Sequence, residues 1–412
     1  MRVGELIGPL EVGPVAHGGH CVARLDGQVV FVRHALPGEL VTARVRDVNR
    51  RFARADTVEV LTASEHRVRP PCPNAGRCGG CDFQHAAPAF QSELKRRVLA
   101  EQLQRLAGID WDGVVEPAEP VLGSRCRMRF VTTTDGRLGL RAYRSHEVVP
   151  LPDGGCPLAE PAMPSAPGMP ASPTGASEPL SAAGAREMAR SVAQAAPGTA
   201  SGRPDRAPSH EAELLGVVSR EGGRLFPPDT DAVVTQRVGE RTFTVAANGF
   251  WQAHRAAPEV LTGAVVEGLN PGPGERAFDL YCGVGVFAGS LVDAGCRVWG
   301  VEGSRTAIAL ARTNVPQARF LAGSVERTLA RLPARADLVV LDPPRTGAGR
   351  AVMTAIARLR PRAVAYVACD AAALARDLGI ARELGYGPSS IRGFDLFGMT
   401  HHLEAVAILH RA

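Results

Sequence analysis

Lysine is almost absent from this chain, since Lys95 is the only one among 412 residues. Nearly all of the positive charge is therefore carried by arginine, whose planar guanidinium binds phosphate through two parallel hydrogen bonds. The formal net charge is +5 and the isoelectric point is near 8.8. This mildly basic balance permits a polyanionic partner without requiring one, and the abundance of arginine, alanine, glycine and proline also fits a GC-rich coding bias.

Long apolar runs and secretory signals are also lacking. No run of about 18 apolar residues occurs, and the N-terminus has no charged, apolar and cleavage-site pattern. These absences argue against a membrane-spanning helix and predict a cytoplasmic protein. The nine cysteines are an odd number, which in such a chain favours metal binding or catalysis over a framework of disulfides.

The length predicts more than one domain, and three regions differ in pattern. Residues 1–60 alternate apolar and polar residues between turns, which predicts a small five-stranded β-barrel with a basic edge. Such barrels often bind nucleic acid, although a solvated charged rim explains the edge equally well. Residues 61–235 form a central region with a low-complexity insert at 157–210 and a short helix near 183–195. Residues 236–412 alternate strand and helix, which predicts an α/β fold with a doubly wound parallel sheet.

Four cysteines of the central region have a spacing that suits a metal centre. Cys72, Cys78 and Cys81 follow a C-x5-C-x2-C pattern, and Cys156 is a distant fourth thiol. Four sulfur ligands suit either a structural zinc ion or an iron–sulfur cluster. The spacing alone leaves both open.

Arginine alternates with apolar residues over residues 124–130. In a strand this pattern places Arg125, Arg127 and Arg129 on one face. Three like charges on one sheet face repel each other unless an anion binds them. The face is therefore predicted to meet either RNA phosphate or plain solvent.

A glycine turn between a strand and a helix occupies residues 277–289. Gly283 and Gly285 allow the backbone to approach a ligand closely, and Glu302, at the end of the next strand, can bind ribose hydroxyls. The pairing fits S-adenosylmethionine. Because the turn also follows the Gly-x-Gly-x-x-Ala pattern, a dinucleotide cofactor stays open at this point.

Asp342 and Gln252 are further candidates for cofactor binding. Asp342 ends a strand and is followed by two prolines, which stop the strand and expose the carboxylate. This Asp-Pro-Pro run favours a methyltransferase over a dinucleotide enzyme. Gln252 lies among aromatic residues and could bind the methionine part of the cofactor, with a core anchor as the alternative.

Two reactive side chains occur near the C-terminal end. Cys369 ends an apolar strand, and Asp370 is a suitable N-cap for the helix that follows. A thiol at a helix N-terminus is favoured as the thiolate, which predicts a nucleophile, with a buried structural thiol as the alternative. Glu404 interrupts another apolar strand, where a buried carboxylate needs a partner or a chemical task.

Together these motifs resemble the RNA 5-methyluridine (uracil-C5) methyltransferase family. The front residues are similar to a TRAM domain, and the four cysteines resemble the family's 4Fe–4S motif. The remaining resemblances are carried by ordered runs: Phe-Trp-Gln-Ala-His (250–254), Asp-Leu-Tyr-Cys-Gly-Val-Gly (279–285), Leu-Asp-Pro-Pro-Arg-Thr-Gly (341–347), Tyr-Val-Ala-Cys-Asp (366–370) and Thr-His-His-Leu-Glu (400–404).

The resemblance implies an enzyme that methylates C5 of a uridine in structured RNA, either rRNA or tRNA, with S-adenosylmethionine as cofactor. Cys369 would attack C6 of the uracil and Glu404 would remove the C5 proton. The implied cofactor positions are Gln252, Tyr281, Glu302 and Asp342. Cys72, Cys78, Cys81 and Cys156 would hold the 4Fe–4S cluster, with zinc as the alternative occupant, and the protein is expected to be monomeric.

The sequence departs from the family pattern at several positions. Val286 stands where Asn or Thr is usual, Ala371 replaces a proline, and Gly398 begins a Gly-Met pair in place of Pro-His. These departures motivate a second hypothesis, a methyltransferase-derived RNA-binding protein with weak or no turnover. A dinucleotide-dependent oxidoreductase ranks last, because no hydride-acceptor constellation accompanies the glycine turn.

Overall fold

The computed structural model describes residues 1–166 and 212–411, and most of the insert predicted at 157–210, with its helix near 183–195, lies outside these residues. The chain divides into two units. The first comprises Met1–Pro70, Cys81–Val121 and Pro258–Ala412, and the second comprises Pro71–Gly80 and Leu122–Ala257. No helix of the described residues is long and apolar enough to cross a membrane.

The chain begins with five strands of the first unit: β1 (Leu6–Glu11), β2 (Cys21–Leu25), β3 (Gln28–Arg33), β4 (Leu40–Val48) and β5 (Phe52–Thr62). They form one sheet in the order β1-β4-β5-β3-β2, here called the front sheet. In β4, Val41, Ala43 and Val45 are buried while the residues between them face outward, as period-two alternation requires. Asp26 and Gly27 both have positive φ at the β2–β3 turn, which suits a tight hairpin. The predicted all-β front region is confirmed.

One long helix and a short strand follow within the first unit. Helix α1 (Pro88–Ala107) begins with a proline and ends at Gly108 in the left-handed conformation, and β6 spans Val115–Pro117. The single lysine of the chain lies on this helix. Lys95 is fully buried, where its ammonium pairs with Asp395 and donates a 3.1 Å hydrogen bond to the carbonyl of Phe397.

The second unit contains antiparallel strands. They are β7 (Arg127–Thr132), β8 (Leu138–Arg141), β9 (Val148–Pro150), β10 (Glu213–Ser219), β11 (Gly222–Phe226), β12 (Val233–Val238) and β13 (Arg241–Ala246). Five of them form a sheet in the order β11-β10-β7-β8-β9, and β12 pairs with β13 as a hairpin.

The remaining elements alternate strand and helix. They are α2 (Ala257–Leu269), β14 (Arg276–Leu280), α3 (Val286–Asp293), β15 (Arg297–Glu302), α4 (Arg305–Asn314), β16 (Arg319–Ala322), α5 (Val325–Thr328), a 3-10 turn (Leu329–Arg331), β17 (Leu338–Leu341), α6 (Gly349–Leu359), β18 (Ala363–Ala368), α7 (Ala371–Glu383), β19 (Tyr386–Asp395) and β20 (Glu404–Arg411).

These strands form an eight-stranded sheet with the order β16-β15-β14-β17-β18-β20-β19-β6. Five neighbouring strands of this sheet, β16, β15, β14, β17 and β18, are parallel to one another, while β20 runs antiparallel to β18. Strand β18 is buried along its whole length, which explains its continuous apolar sequence. The predicted doubly wound sheet is confirmed, and its carboxyl edge is where ligands bind in such folds.

Candidate active site

The carboxyl end of β14 carries the predicted glycine turn. Tyr281 follows the strand with a φ of 63°, a conformation that is uncommon for residues other than glycine and that occurs at functional sites. Gly283 also has a positive φ, and, its two chain neighbours aside, no atom of the described residues lies within 4 Å of the position that a Cβ would occupy there. The turn therefore leaves open space over the end of the strand, as a small-molecule ligand would require.

Glu302 holds this turn from the neighbouring strand. One of its carboxylate oxygens accepts a 3.2 Å hydrogen bond from the backbone N–H of Gly283, and the other accepts a 2.7 Å bond from the N–H of Ser304. The parallel pairing of β14 and β15 brings the two strand ends to the same edge. The structure thus places Tyr281, Gly283 and Glu302 together, as the sequence predicts.

Two carboxylates extend the site along the same sheet edge. The N–H of Asp342 donates a 3.2 Å hydrogen bond to the carbonyl of Leu280, which places Asp342 beside the glycine turn. Glu404 is only 3% exposed, and its Oε2 atom has no hydrogen-bond partner in the part of the chain that the structure describes. Burial raises the pKa of both carboxyl groups, and the charge of Asp342 raises the pKa of Glu404 further. Such perturbed acids typically mark sites of chemistry.

The register of two strands brings Cys369 and Glu404 together. Strands β18 and β20 are antiparallel, with Ala368 opposite Ala405. Cys369 follows the last residue of β18 and Glu404 begins β20, so each is the next residue along the chain from this pair. Their proximity has an electrostatic consequence, because the charge of Glu404 raises the pKa of the Cys369 thiol.

The turn that carries Cys369 has the predicted helix cap. Asp370 is the N-cap of α7, and its Oδ1 atom accepts a 2.8 Å hydrogen bond from the N–H of Ala373. However, burial, followed by the charges of Glu404 and Asp342, raises the pKa of Cys369 to about 12. The influence of the helix terminus, which favours the thiolate, is therefore opposed in the free protein by burial and by the charges of three carboxylates. Activation of Cys369 stays a prediction.

A cavity of about 200 Å³ lies beside the thiol. Its lining includes Cys369, Arg345, His402, His401 and His17. Arg345 forms no ion pair with a carboxylate of the described residues. Its guanidinium lies 3.4 Å from the His402 ring, and its charge lowers the pKa of Cys369.

Four of these lining residues are not among the site residues predicted from the sequence. Arg345, His401 and His402 lie inside the Asp-Pro-Pro-Arg and Thr-His-His-Leu-Glu runs, so the motifs themselves carried the signal. His17 lies in the front sheet's first loop, more than 300 positions from Cys369 in the sequence, and no local pattern links the two.

One arginine of the 124–130 alternation has a structural role that neither sequence alternative predicted. In the second unit, Arg127 donates hydrogen bonds to the carbonyls of Ala246, Ala247 and Gly249, at 2.7 to 3.4 Å. Burial lowers the pKa of its guanidinium. The alternation of exposure is as predicted, but Arg127 binds backbone of its own unit rather than solvent or phosphate.

Gln252 also belongs to the second unit. Its backbone carbonyl lies 3.3 Å from the Cys126 thiol. The role of its side chain in cofactor binding stays a prediction.

The cysteines predicted to bind a metal are divided between the units, with Cys81 in the first and the other three in the second. Burial raises the pKa of the Cys78 thiol, and the charges of Cys156 and Cys72 raise it further. Cys78 Sγ also accepts a 3.4 Å hydrogen bond from the N–H of Gly80. Within the described residues, no group of three or more His, Cys, Asp or Glu side chains is arranged to hold a metal ion. The metal centre stays a prediction.

Known proteins resemble this chain over nearly its full length. Residues 9–58 match the TRAM domain. A Streptomyces avermitilis protein described as an uncharacterized RNA methyltransferase is 45% identical, over 98% of this chain and 98% of its own length. A 23S rRNA (uracil(1939)-C(5))-methyltransferase, RlmD, of Shewanella sp. is 31% identical, over 96% of this chain and 94% of its own length.

A solved structure has the same fold. The tRNA (uracil-54, C5)-methyltransferase of Pyrococcus abyssi, in complex with S-adenosyl-L-homocysteine, aligns with a TM-score of 0.68 over 97% of this chain and 99% of its own. Its sequence identity of 20% makes this a likeness of fold.

Proposed function

Because this chain belongs to the family of S-adenosylmethionine-dependent RNA (uracil-C5)-methyltransferases, we propose that it methylates C5 of a uridine in ribosomal RNA through a covalent bond between Cys369 and C6 of the uracil. Ribosomal RNA is chosen over tRNA because the relatives named for 23S rRNA align over nearly the whole chain at 30% and 31% identity. The tRNA enzyme supports the fold alone.

The observation that carries this proposal is the pair of Cys369 and Glu404. A thiol and a buried carboxylate lie at one sheet edge, next to the last residue pair of β18 and β20, and one oxygen of that carboxylate has no hydrogen-bond partner among the described residues. This edge is also the one that holds the open glycine turn. An uncompensated buried carboxylate costs several kcal/mol or shifts its pKa, so its retention beside a thiol fits a catalytic base next to a nucleophile.

The two side chains have separate tasks. Uracil C5 is a weak nucleophile, and addition of Cys369 Sγ to C6 converts it into the nucleophilic carbon of an enolate. S-adenosylmethionine supplies an electrophilic methyl group. Once C5 carries that methyl group, Glu404 takes the C5 proton, the Cys369–C6 bond breaks with the electron pair returning to sulfur, and the C5–C6 double bond is restored.

Both side chains act in their deprotonated forms, and the raised pKa of each in the free protein opposes those forms. Arg345 is the described group whose positive charge lowers the pKa of both. We infer that Arg345 favours the thiolate and the carboxylate. Removing its charge should therefore slow addition to C6 more at low pH than at high pH.

The cofactor is assigned to the edge formed by β14, β15 and β17. Glu302 and Asp342 would accept hydrogen bonds from it, the turn at Tyr281 and Gly283 would allow close approach, and Gln252 is the remaining predicted contact. The open space next to Gly283 supports the fit. The front sheet is assigned to RNA binding.

The test is a comparison of RNA from a strain lacking the gene with RNA from the same strain carrying a plasmid copy. Mass spectrometry of 23S rRNA and tRNA should find one 5-methyluridine in 23S rRNA that is lost with the gene and restored by the wild type. A plasmid encoding Cys369→Ala should not restore it. Loss confined to tRNA would overturn the choice of RNA, and unchanged 5-methyluridine in both RNAs would overturn the function.

We also propose that Cys72, Cys78, Cys81 and Cys156 hold a 4Fe–4S cluster. The electrostatic coupling among three of these thiols and the N–H bond to Cys78 Sγ support a sulfur-rich centre, and four thiolates are the usual ligands of such clusters. The cluster would supply iron–sulfur bonds that crosslink the loop of Cys72 and Cys78 to Cys156. This role is structural and needs no change of redox state.

The metal is identified by analysis of protein purified without oxygen. About four irons and four sulfides per chain, with broad absorption that is lost in a Cys156→Ser variant, are expected. One zinc and no iron would instead identify a zinc site. If the protein contained neither iron nor zinc, the four thiols would be structural or redox-inert cysteines, and the proposal of a metal centre would be wrong.

A further inference from the structure

The loop between β1 and β2, residues 12–20, is shaped for close contact with the catalytic segment of the first unit. It is a tight turn in which the N–H of Ala16 donates to His20 and that of Gly19 donates to Ala16, at 2.7 and 3.0 Å. Gly18 and Gly19 both have positive φ. A Cβ added at Gly19 would lie 2.5 Å from the Cβ of His401, so only glycine permits this approach.

The loop presents His17 to the residue that follows the nucleophile. The His17 Nε2 atom lies 3.0 Å from Oδ2 of Asp370. The other carboxylate oxygen of Asp370 caps α7 through the N–H of Ala373. One carboxylate oxygen of Asp370 therefore contacts the helix that follows Cys369, and the other contacts His17 in the loop between β1 and β2.

The charges near His17 and Asp370 affect the pKa of the Cys369 thiol. A hydrogen bond to Asp370 raises the pKa of His17, with Glu101 acting in the same direction, while burial and Arg105 lower it. The pKa of Cys369 is raised by burial and by the charges of Glu404, Asp342 and Asp370, and it is lowered by Arg345. A positive charge on His17 offsets the charge of Asp370.

We propose that His17 is a positioning residue for the nucleophile, whose imidazolium pairs with Asp370, orients the Cys369 turn and favours the thiolate. This inference deepens the proposed function and rests on its choice of nucleophile. The front sheet then contributes a titratable side chain to the catalytic cavity, in addition to its proposed role in RNA binding. The effect is present while His17 is protonated and is lost as the pH rises through its pKa.

The test measures alkylation of Cys369 by iodoacetamide in the full-length protein, without RNA, from pH 6 to pH 9. Residue-resolved mass spectrometry separates Cys369 from the other eight cysteines. Because the thiolate is the reactive form, His17→Ala should react roughly three- to tenfold more slowly than the wild type at pH 6. The difference should disappear by pH 9. His17→Gln, which donates a neutral hydrogen bond, should show no such pH-dependent difference from His17→Ala.

Two controls make the result specific. His146→Ala removes an exposed histidine of the second unit and should match the wild type at every pH. Asp370→Asn keeps an N-cap but removes the charge, so adding His17→Ala to it should change the rate little. Equal rates for His17→Ala and wild type, or a loss of the same size at every pH, would overturn the proposal.

The reaction with iodoacetamide needs neither RNA nor cofactor, so its outcome is separate from that of the proposed function. If the wild type forms no 5-methyluridine but His17→Ala still shows the pH-dependent difference from it, the His17–Asp370 coupling is supported and the assigned reaction is overturned. Normal methylation with no effect of His17 on the thiol would retain the reaction and lose the coupling.

Discussion

The front sheet and the carboxyl edge of the eight-stranded sheet use charge in opposite ways. In the front sheet, arginines pair with carboxylates: Arg33 and Arg46 both bond Asp56, at 3.0 and 2.8 Å, and Arg54 bonds Asp47 at 3.0 Å. At the edge of the eight-stranded sheet, Glu404 is buried with an oxygen that no described residue hydrogen-bonds.

The difference separates charges that support a fold from charges that support a reaction. The partly exposed pairs among these, Arg46–Asp56 and Arg54–Asp47, contribute about 0–1 kcal/mol each. A buried carboxylate without a partner destabilises the fold and has a raised pKa, which suits it to accept a proton during a reaction. Substitutions at the sheet edge should therefore change chemistry strongly, whereas substitutions of the front-sheet pairs should change it little.

The largest effect is expected for Cys369→Ala. Without the thiol no bond to C6 can form, so methylation of an rRNA transcript should fall to background. A 5-fluorouridine transcript should form a covalent complex with the wild type, and this complex should survive denaturing electrophoresis. The adduct persists because its release requires loss of a proton from C5, and fluorine cannot leave as a proton. The variant should form no crosslink. Near-normal methylation by Cys369→Ala would remove the contrast between the two regions.

The second largest effect is expected for Glu404→Gln. The amide is close in size to the carboxyl group but cannot take the C5 proton, so steady-state turnover should fall by about 10²–10⁴-fold. Methyl transfer itself should continue, which leaves the enzyme bound covalently to methylated RNA even when the transcript contains no 5-fluorouridine. A gel with radiolabelled RNA measures this complex. Its absence, together with normal turnover, would show that the buried carboxylate is not the base.

Glu302→Ala should weaken cofactor binding by roughly five- to a hundredfold, measured by calorimetry with S-adenosylmethionine. The substitution removes an assigned cofactor contact and also releases the N–H groups of Gly283 and Ser304. Glu302→Gln retains an acceptor and should lose less. Unchanged affinity in both variants, with an unchanged melting temperature, would remove this strand end from the cofactor site.

The sequence predicts those parts of the site that lie on single strand–turn–helix units. The cap at Asp370, the glycine turn at Gly283 and the strand ends at Glu302 and Asp342 all follow from local patterns of apolar residues and breakers. The contact of His17 with Asp370 could not be predicted, since it joins two elements 353 positions apart.

The same distinction explains two electrostatic findings. The raised pKa of Cys369 depends on burial and on carboxylates brought in by other strands, which no local pattern shows. Arg127 looks like its neighbours in the sequence, and only the hairpin of β12 and β13 and the residues after it supply the carbonyls that it binds.

The smallest effects concern the front sheet, where two pairs of arginines provide a matched test. Arg50 and Arg51 are exposed at the β4–β5 turn and form no ion pair with another described residue, whereas Arg46 and Arg54 bond Asp56 and Asp47. Free cations can neutralise phosphates and release counterions. The double substitution Arg50→Ala/Arg51→Ala should therefore weaken RNA binding several-fold at low salt and reduce the slope of log affinity against log salt by about 1–2.

The substitution Arg46→Ala/Arg54→Ala removes the same formal charge from arginines that already have carboxylate partners. It should lower the free energy of unfolding by about 0–1 kcal/mol per pair and change the salt slope less than the first double variant does. Filter binding at several salt concentrations, together with thermal melts, measures both quantities. Equal slopes for the two double variants would mean that pairing within the front sheet does not withdraw an arginine from RNA, and the contrast between paired and unpaired charge would then hold only at the catalytic edge.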